Sequence, residues 1–321
     1  MKILVTGGLG YIGSHVSNLL GNNAVIIDNQ SNSSLNYKKR LPFAKVYKRD
    51  LNSNSLIKIF SENKITGVIH LASLKAANES VHNPLAYYEQ NVVPTIQLLQ
   101  TMRNYNINNL IFSSSATVYG NSNKSPLNED MILNSVNPYG STKICIERLI
   151  QDYCKSNPKV KAISLRYFNP LGADKKAGLM DQPKGVPQNI LPILINSIKY
   201  KKTFKIFGND YKTRDGTCIR DYIHVKDLAS AHMLALRNLH KIKGHVPINI
   251  GLGKGVSVLE IIKFFEKVNN ISIKYKISKR REGDAAISYS DNTRAKKILG
   301  WKPKFNHLEM LRDAWEASLN Q

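Results

Sequence analysis

An α/β fold built on a doubly wound parallel sheet is predicted by three features of this 321-residue sequence. Short apolar segments alternate with helical ones, a glycine turn directly follows the first apolar segment, and the rhythm breaks after Phe168-Asn169-Pro170. Lys2–Thr6 reads as a buried strand and 11–21 as the helix after it. Ala24–Asp28 is a second strand that ends on an acid, and 45–48 a third. Residues 53–63 read as a helix, 67–71 as a fourth strand and 84–105 as a long helical stretch. Asn109–Ser113 is the fifth strand, 138–157 a helix with apolar Ile144, Leu149 and Ile150, and 160–166 the sixth strand. Strands apolar on both faces need helices on both sides, which is the layering of a parallel sheet.

Beyond the break, residues 171–187 are rich in Gly, Pro, Asp and Lys and read as a long loop. Two further irregular stretches, 207–220 and 278–289, alternate with helices near 188–200, 226–240 and 256–269. Long loops in a compact chain are usually functional. The expected division is a sheet unit over 1–168 and a smaller C-terminal α+β lobe over 169–321, with segments free to return to the first unit. The lobe would rest on the carboxyl edge of the sheet and carry the substrate-binding loops. With no internal repeat and no low-complexity linker, the two are expected to form one rigid unit.

Composition narrows the function classes. No apolar run approaches the ~20 residues of a membrane helix. The start reaches glycine too early for a secretory apolar core of ~7–15 residues. Cys145, Cys154 and Cys218 form no Cys-x-x-Cys pair, which argues against a zinc knuckle or disulfide framework and for a reducing, cytoplasmic setting. No metal is expected. The net charge of +23 would draw any polyanion. No nucleic-acid recognition motif accompanies it, and the densest run, Lys279-Arg280-Arg281, stops at Glu282. Neither specific nucleic-acid binding nor membrane attachment is expected, whereas a small anionic substrate suits a positive cleft.

The glycine turn runs Thr6-Gly7-Gly8-Leu9-Gly10-Tyr11-Ile12-Gly13, between the first strand and its helix. Gly7 permits the tight turn, Gly10 lets the backbone approach a pyrophosphate, and Gly13 lets the helix pack on the sheet. The free amides at the helix start face the negative charge. This is the Rossmann-type arrangement. Asp28 can accept hydrogen bonds from an adenosine ribose and would repel a 2′-phosphate, and Asn29-Gln30-Ser31 supplies no arginine for one, so NAD is favoured over NADP. Asp50-Leu51 after the third strand can meet the adenine amino group or serve as a helix cap.

Tyr139 and Lys143 stand four apart on the helix opened by Pro138 and so share a face. A free tyrosine titrates near ~10. A neighbouring ammonium and a positive nicotinamide ring would lower that value and make Tyr139 a base for a sugar hydroxyl. Ser115, just past the fifth strand, can hydrogen-bond the reacting oxygen and relay its proton. Each feature is weak alone: Tyr-x-x-x-Lys occurs on many solvated helices, and a serine-rich turn is common. Their order along one open sheet makes them reinforce one another.

On these motifs the chain resembles the extended short-chain dehydrogenase superfamily and, within it, the UDP-glucose/UDP-galactose 4-epimerase family. The likeness covers essentially the whole chain. It includes His70-Leu71-Ala72, Leu74-Lys75-Ala76, Ser115-Ala116-Thr117-Val118-Tyr119-Gly120, Arg166–Pro170, Ile206–Tyr211, Arg220–Val225 and Arg280–Asp284. The resemblance implies a reversible oxidation at the sugar C4 with tightly held NAD, followed by rotation of a 4-keto sugar within the site. It implies cofactor contacts from Gly7, Gly10, Tyr11, Ile12, Gly13, Asp28, Asn29, Asp50, Leu51, Lys75, Tyr139, Lys143 and Phe168. Asn169 and Asn189 would bond the nucleotide sugar, Arg220 and Arg281 the pyrophosphate, and Asp284 a uridine ribose, alongside Ser115 and Ser288. A UDP-hexose substrate and a homodimer paired through 84–105 and 138–157 are implied as well.

Departures carry information. Where many bacterial members of the family have a gating tyrosine, this chain has Ser288, with Tyr289 one place later. A small residue there goes with acceptance of N-acetylhexosamines, unless a register slip brings Tyr289 into the gate. Gln90 replaces a frequent asparagine and bears on sugar orientation. The nearest rival reading is a nucleotide-sugar 4,6-dehydratase or decarboxylase, which usually has an acid where this chain has Thr117. A remoter one is a non-catalytic Rossmann protein that binds NAD or polyanions.

Overall fold

The computed structural model of the chain describes residues 1–122, 125–281 and 283–319. Six parallel strands, β1 (Lys2–Thr6), β2 (Ala24–Ile27), β3 (Lys45–Tyr47), β4 (Ile65–His70), β5 (Asn109–Ser115) and β6 (Lys161–Tyr167), lie in the order β6-β5-β4-β1-β2-β3. Helices α1 (Tyr11–Leu20), α2 (Tyr37–Arg40), α3 (Ser53–Glu62), α4 (Ala77–His82), α5 (Pro84–Asn104) and α6 (Pro138–Ser156) connect them. The sheet is the doubly wound one that the alternation predicts. Ile3 and Val5 bury into the cluster that holds Val16 and Leu20 of α1, while Leu4 buries into the opposite cluster with Leu56, Leu98 and Ile150. That split follows from side chains alternating across the pleat.

The later chain forms β7 (Asn169–Leu171), α7 (Ile190–Lys199), β8 (Phe204–Phe207), β9 (Ile219–His224), α8 (Val225–Asn238), β10 (His245–Ile250), β11 (Gly255–Ser257), α9 (Val258–Asn269), β12 (Tyr275–Ser278), β13 (Ile287–Ser288) and α10 (His307–Leu319). Helix α10 and the short lobe strands carry no strong signal in the sequence. β10 leaves the lobe and pairs in parallel with β6 as the seventh strand of the main sheet, and α8 buries Leu228, Ala231 and Ala235 in the α1 cluster. The lobe has its own core, in which Leu194, Phe265, Ile262 and Met310 are buried. β9 is its centre, flanked by β7, β11 and β13.

Candidate functional site

The strand order reverses between β1 and β4, and the crevice beyond their carboxyl ends is where open α/β sheets bind ligands. Thr6 ties those ends together. Its hydroxyl lies 2.7 Å from His70 Nδ1 and accepts from the backbone amides of Leu71 and Ala72, each at 3.2 Å. Burial holds His70 near a pKa of about 3, so the ring is a neutral strut. Gly7 takes φ +68°, and a Cβ on it would stand 2.7 Å from the Ala72 amide nitrogen. A Cβ on Gly13 would stand 2.1 Å from the Gly7 carbonyl oxygen, so α1 reaches the sheet only as glycine. On Gly10 it would meet nothing nearer than that oxygen at 3.4 Å. The turn is therefore closed behind and open toward the crevice.

At the end of β2, Asp28 accepts from the Leu9 amide at 2.9 Å and the Gln30 amide at 2.7 Å. Burial raises its carboxyl pKa and the backbone donors oppose that rise. Asn29 donates to Asp50 at 2.8 Å, joining the ends of β2 and β3, with Leu51 packed beneath. Tyr11 donates to the Gly172 carbonyl at 2.8 Å, which anchors the turn to the C-terminal lobe, and Ile12 packs beside it. Lys75 is exposed between β4 and α4, and Phe168 is buried with Val118, Tyr119 and Leu127 beyond β6. An open glycine turn with a braced carboxylate one strand away fits a dinucleotide: amides for its pyrophosphate, a carboxylate for its ribose.

Asn137 caps α6 by accepting from the Gly140 amide at 2.9 Å, and Pro138 occupies the first turn, so the helix starts where it aims Tyr139 and Lys143 at the crevice. β5 runs two residues further than the sequence predicts and ends on Ser115. The Lys143 ammonium is buried, donates to the Ser113 carbonyl at 2.8 Å, and lies 5.0 Å from the Phe112 ring and 5.7 Å from the Tyr139 ring. Burial draws its pKa down to about 7. The Tyr139 phenol is raised by burial and eased back by its hydrogen bond with Ser115. This differs from the expected lowering, because Lys143 is engaged with the strand carbonyl and the protein's own groups leave burial in control. Ser115 also accepts from the Thr117 hydroxyl at 3.0 Å.

In the lobe, Arg220 on β9 donates to the Ala285 carbonyl at 2.7 Å and lies 3.3 Å from Asp284. Ser288 on β13 pairs with Arg220 and shares its face. A Cβ on Gly255 would lie 3.1 Å from Tyr289, whose ring packs on the β11 side. The register is the one that keeps Tyr289 off the Arg220 face. Arg281 stacks at 4.0 Å over the Phe207 ring, and Glu282 lies outside the described residues. Asn169 begins β7 and is exposed, and Asn189 precedes α7, donating to Asp181 at 2.7 Å. Gln90 is exposed on α5. Its buried neighbour Asn91 does the local work, accepting from the Leu74 amide at 2.7 Å and donating to Thr142 at 3.1 Å. Sequence reasoning passed over Asn91, and also over the aromatic face of Phe207.

A model of the NAD dependent epimerase/dehydratase family matches residues 3–251. A UDP-glucose 4-epimerase of Erwinia amylovora is 46% identical over 98% of this chain and 97% of its own. The chain belongs to the UDP-glucose 4-epimerase family. Among solved structures, UDP-glucose 4-epimerase from Bifidobacterium longum in complex with NAD+ and UDP is 38% identical with a TM-score of 0.94, covering 100% of this chain and 98% of that one. The UDP-Glc/GlcNAc 4-epimerase of Campylobacter jejuni is 34% identical with a TM-score of 0.85, covering 100% and 99%. Family membership explains why the Tyr139–Lys143 helix and the glycine turn occur on one sheet.

Proposed function

We propose that this chain is a UDP-sugar 4-epimerase with NAD as its cofactor, interconverting UDP-galactose and UDP-glucose through a transient 4-keto sugar. The observation that carries the reading is the convergence of Tyr139, Ser115 and buried Lys143 at the carboxyl edge of a sheet whose glycine turn is open to a dinucleotide. Gly7, Gly10, Tyr11, Ile12, Gly13, Asp28, Asn29, Asp50, Leu51, Lys75 and Phe168 would hold the cofactor with Tyr139 and Lys143. Bound NAD supplies a reversible two-electron acceptor and a positively charged ring.

Tyr139 would take the proton of the 4-hydroxyl and give it back to the same oxygen once the sugar has turned, while the inversion lies at C4, whose electron pair and hydrogen the bound NAD would hold in between. Ser115 bonds the same oxygen, and Lys143 gives the phenolate a cationic neighbour. Rotation requires a loose grip on the hexose and a firm one on UDP. Arg220 and Arg281 suit the pyrophosphate oxygens, Asp284 a ribose diol, the Phe207 ring a flat base, and Asn169 and Asn189 the remaining polar groups. Thr117 supplies no carboxylate, which disfavours the dehydratase and decarboxylase readings. Ser288 pairs with Arg220 and Tyr289 packs toward β11, and this small side chain supports including UDP-GlcNAc and UDP-GalNAc in the proposed substrate range.

The test is formation of UDP-glucose from UDP-galactose by the purified protein without added NAD, repeated with UDP-GlcNAc. Tyr139→Phe and Lys143→Ala are expected to lose at least about 100-fold in kcat. Wild-type protein that leaves UDP-galactose untouched, or Tyr139→Phe at full rate, would reject the reading. Inertness toward UDP-GlcNAc alone would reject only the wider substrate range.

A homodimer and a cytoplasmic setting form part of the proposal. Leu85, Tyr88, Val93 and Ile96 of α5 are exposed, and Cys145, Cys154 and Cys218 are free thiols. Among the described residues no helix is long and apolar enough to cross a membrane.

A further inference from the structure

We propose that Glu147 is a positioning residue, whose buried carboxylate keeps β5, β6 and α6 in the register that sets Ser115, Tyr139 and Lys143 against one another. The inference rests on the reading of Tyr139 and Lys143 as the acting pair. Glu147 lies one turn beyond Lys143 on α6 and is 4% exposed. One of its oxygens accepts from the Ser114 hydroxyl at 2.5 Å and from Arg166 Nε at 3.0 Å, and the other accepts from Arg166 Nη2 at 2.6 Å. Ser114 stands between Ser113, whose carbonyl holds the Lys143 ammonium, and Ser115, which bonds Tyr139. A single carboxylate thus grips the residue between the two strand groups that touch the pair.

The grip is braced from behind. Arg166 on β6 also donates to the Tyr119 hydroxyl at 2.9 Å and the Glu129 carbonyl at 3.3 Å. Tyr119 donates to Asn249 of β10 at 2.6 Å, and the Asn249 amide donates to the Glu129 carboxylate at 2.8 Å. A buried ion pair is rarely the most stable filling for its space, so stability alone is a poor reason for one here. The chemistry offers a better one. Facing Lys143 are Tyr139 and Glu147 from its own helix, the Ser113 carbonyl and Phe112 ring from β5, and neutral His70 from β4. Glu147 is the anion in that set, and it opposes the drop that burial imposes on the ammonium. Facing Glu147 are Ser114, Arg166 and, from β10, His245, which burial lowers to about 4 and leaves neutral.

The experiment is the pH dependence of kcat and KM for UDP-galactose with Glu147→Gln. Loss of the charge leaves Lys143 to burial alone, so its ammonium is lost at lower pH. The alkaline limb of kcat should move down by about one unit, with kcat lower by about tenfold at pH 8 and KM within about twofold. Glu147→Asp, which keeps the charge, should return the limb to its wild-type place. A limb that stays put in Glu147→Gln overturns the proposal. If that variant does not fold, Ser114→Ala carries the test, because it leaves the ion pair intact: a kcat about three- to tenfold lower is expected, and an unchanged kcat overturns it. Wild-type protein without epimerase activity would instead overturn the functional reading on which this one rests.

Discussion

Burial acts in opposite directions on the two side chains that α6 aims at the crevice. It penalises whichever form is charged, so the Tyr139 phenol rises while the Lys143 ammonium falls to about 7. The spacing of four placed both on one face from the sequence, but no spacing rule reports what each group will touch. Here Lys143 reaches the Ser113 carbonyl, and burial controls the phenol. The shift of Lys143 also makes stability depend on pH. Between pH about 7 and the ordinary value of 10.5, the unfolded chain binds more protons than the folded one, so this group's contribution to stability rises with pH across that window. Its penalty is largest below pH 7. Lys143→Met should therefore be more stable than wild type at pH 6, by about 2 kcal/mol or more, with the gain shrinking toward pH 10. Urea unfolding at the two pH values measures it, and an equal or larger gain at the higher pH would contradict the sign.

Among the elements, β9 carries the greatest responsibility for the C-terminal lobe. Asp221, next to Arg220, is fully buried and accepts from the amides of Leu252, Gly253 and Ser290 at 2.7, 3.0 and 3.0 Å, and from the Ser290 hydroxyl at 2.6 Å. One carboxylate thereby joins β9, the turn between β10 and β11, and the segment after β13. Asp221→Ala would strand these donors away from water and should cost about 2–4 kcal/mol. Thermal unfolding reads the loss, and UDP affinity should fall with it as Arg220 shifts; an unchanged melting temperature would refute the role. These lobe elements were hard to read in the sequence for a physical reason. β7, β11 and β13 are two or three residues long, too short for alternation to register, and each exists only because β9 offers it an edge. Six of the seven strands of the main sheet were legible because most are runs of apolar residues bounded by turns or caps.

For the molecule as a whole, β10 decides how the lobes are joined. It crosses back from the lobe to extend the main sheet past β6, and α8 packs on α1, so the two cores share a continuous backbone of strands and helices. This arrangement ties the C-terminal lobe to the main sheet by strand pairing and helix packing. On the far side of the sheet the exposed apolar residues of α5 remain uncovered by the chain. A dimer paired through α5 and α6 would cover them, and sedimentation should give twice the chain mass; Val93→Glu with Ile96→Glu should give a monomer. A wild-type monomer at micromolar concentration would contradict the pairing. The parallel sheet, the glycine turn and the Tyr139–Lys143 face could be read from residues alone because they depend on neighbours a few positions apart: a pleat of two, a helical turn of four, a glycine's freedom in φ. The Glu147 clamp, the seat of β10 and the placing of Ser288 rather than Tyr289 beside Arg220 depend on residues far apart in the chain. Folding settles them, since a shift of one residue in register exchanges the faces of a strand.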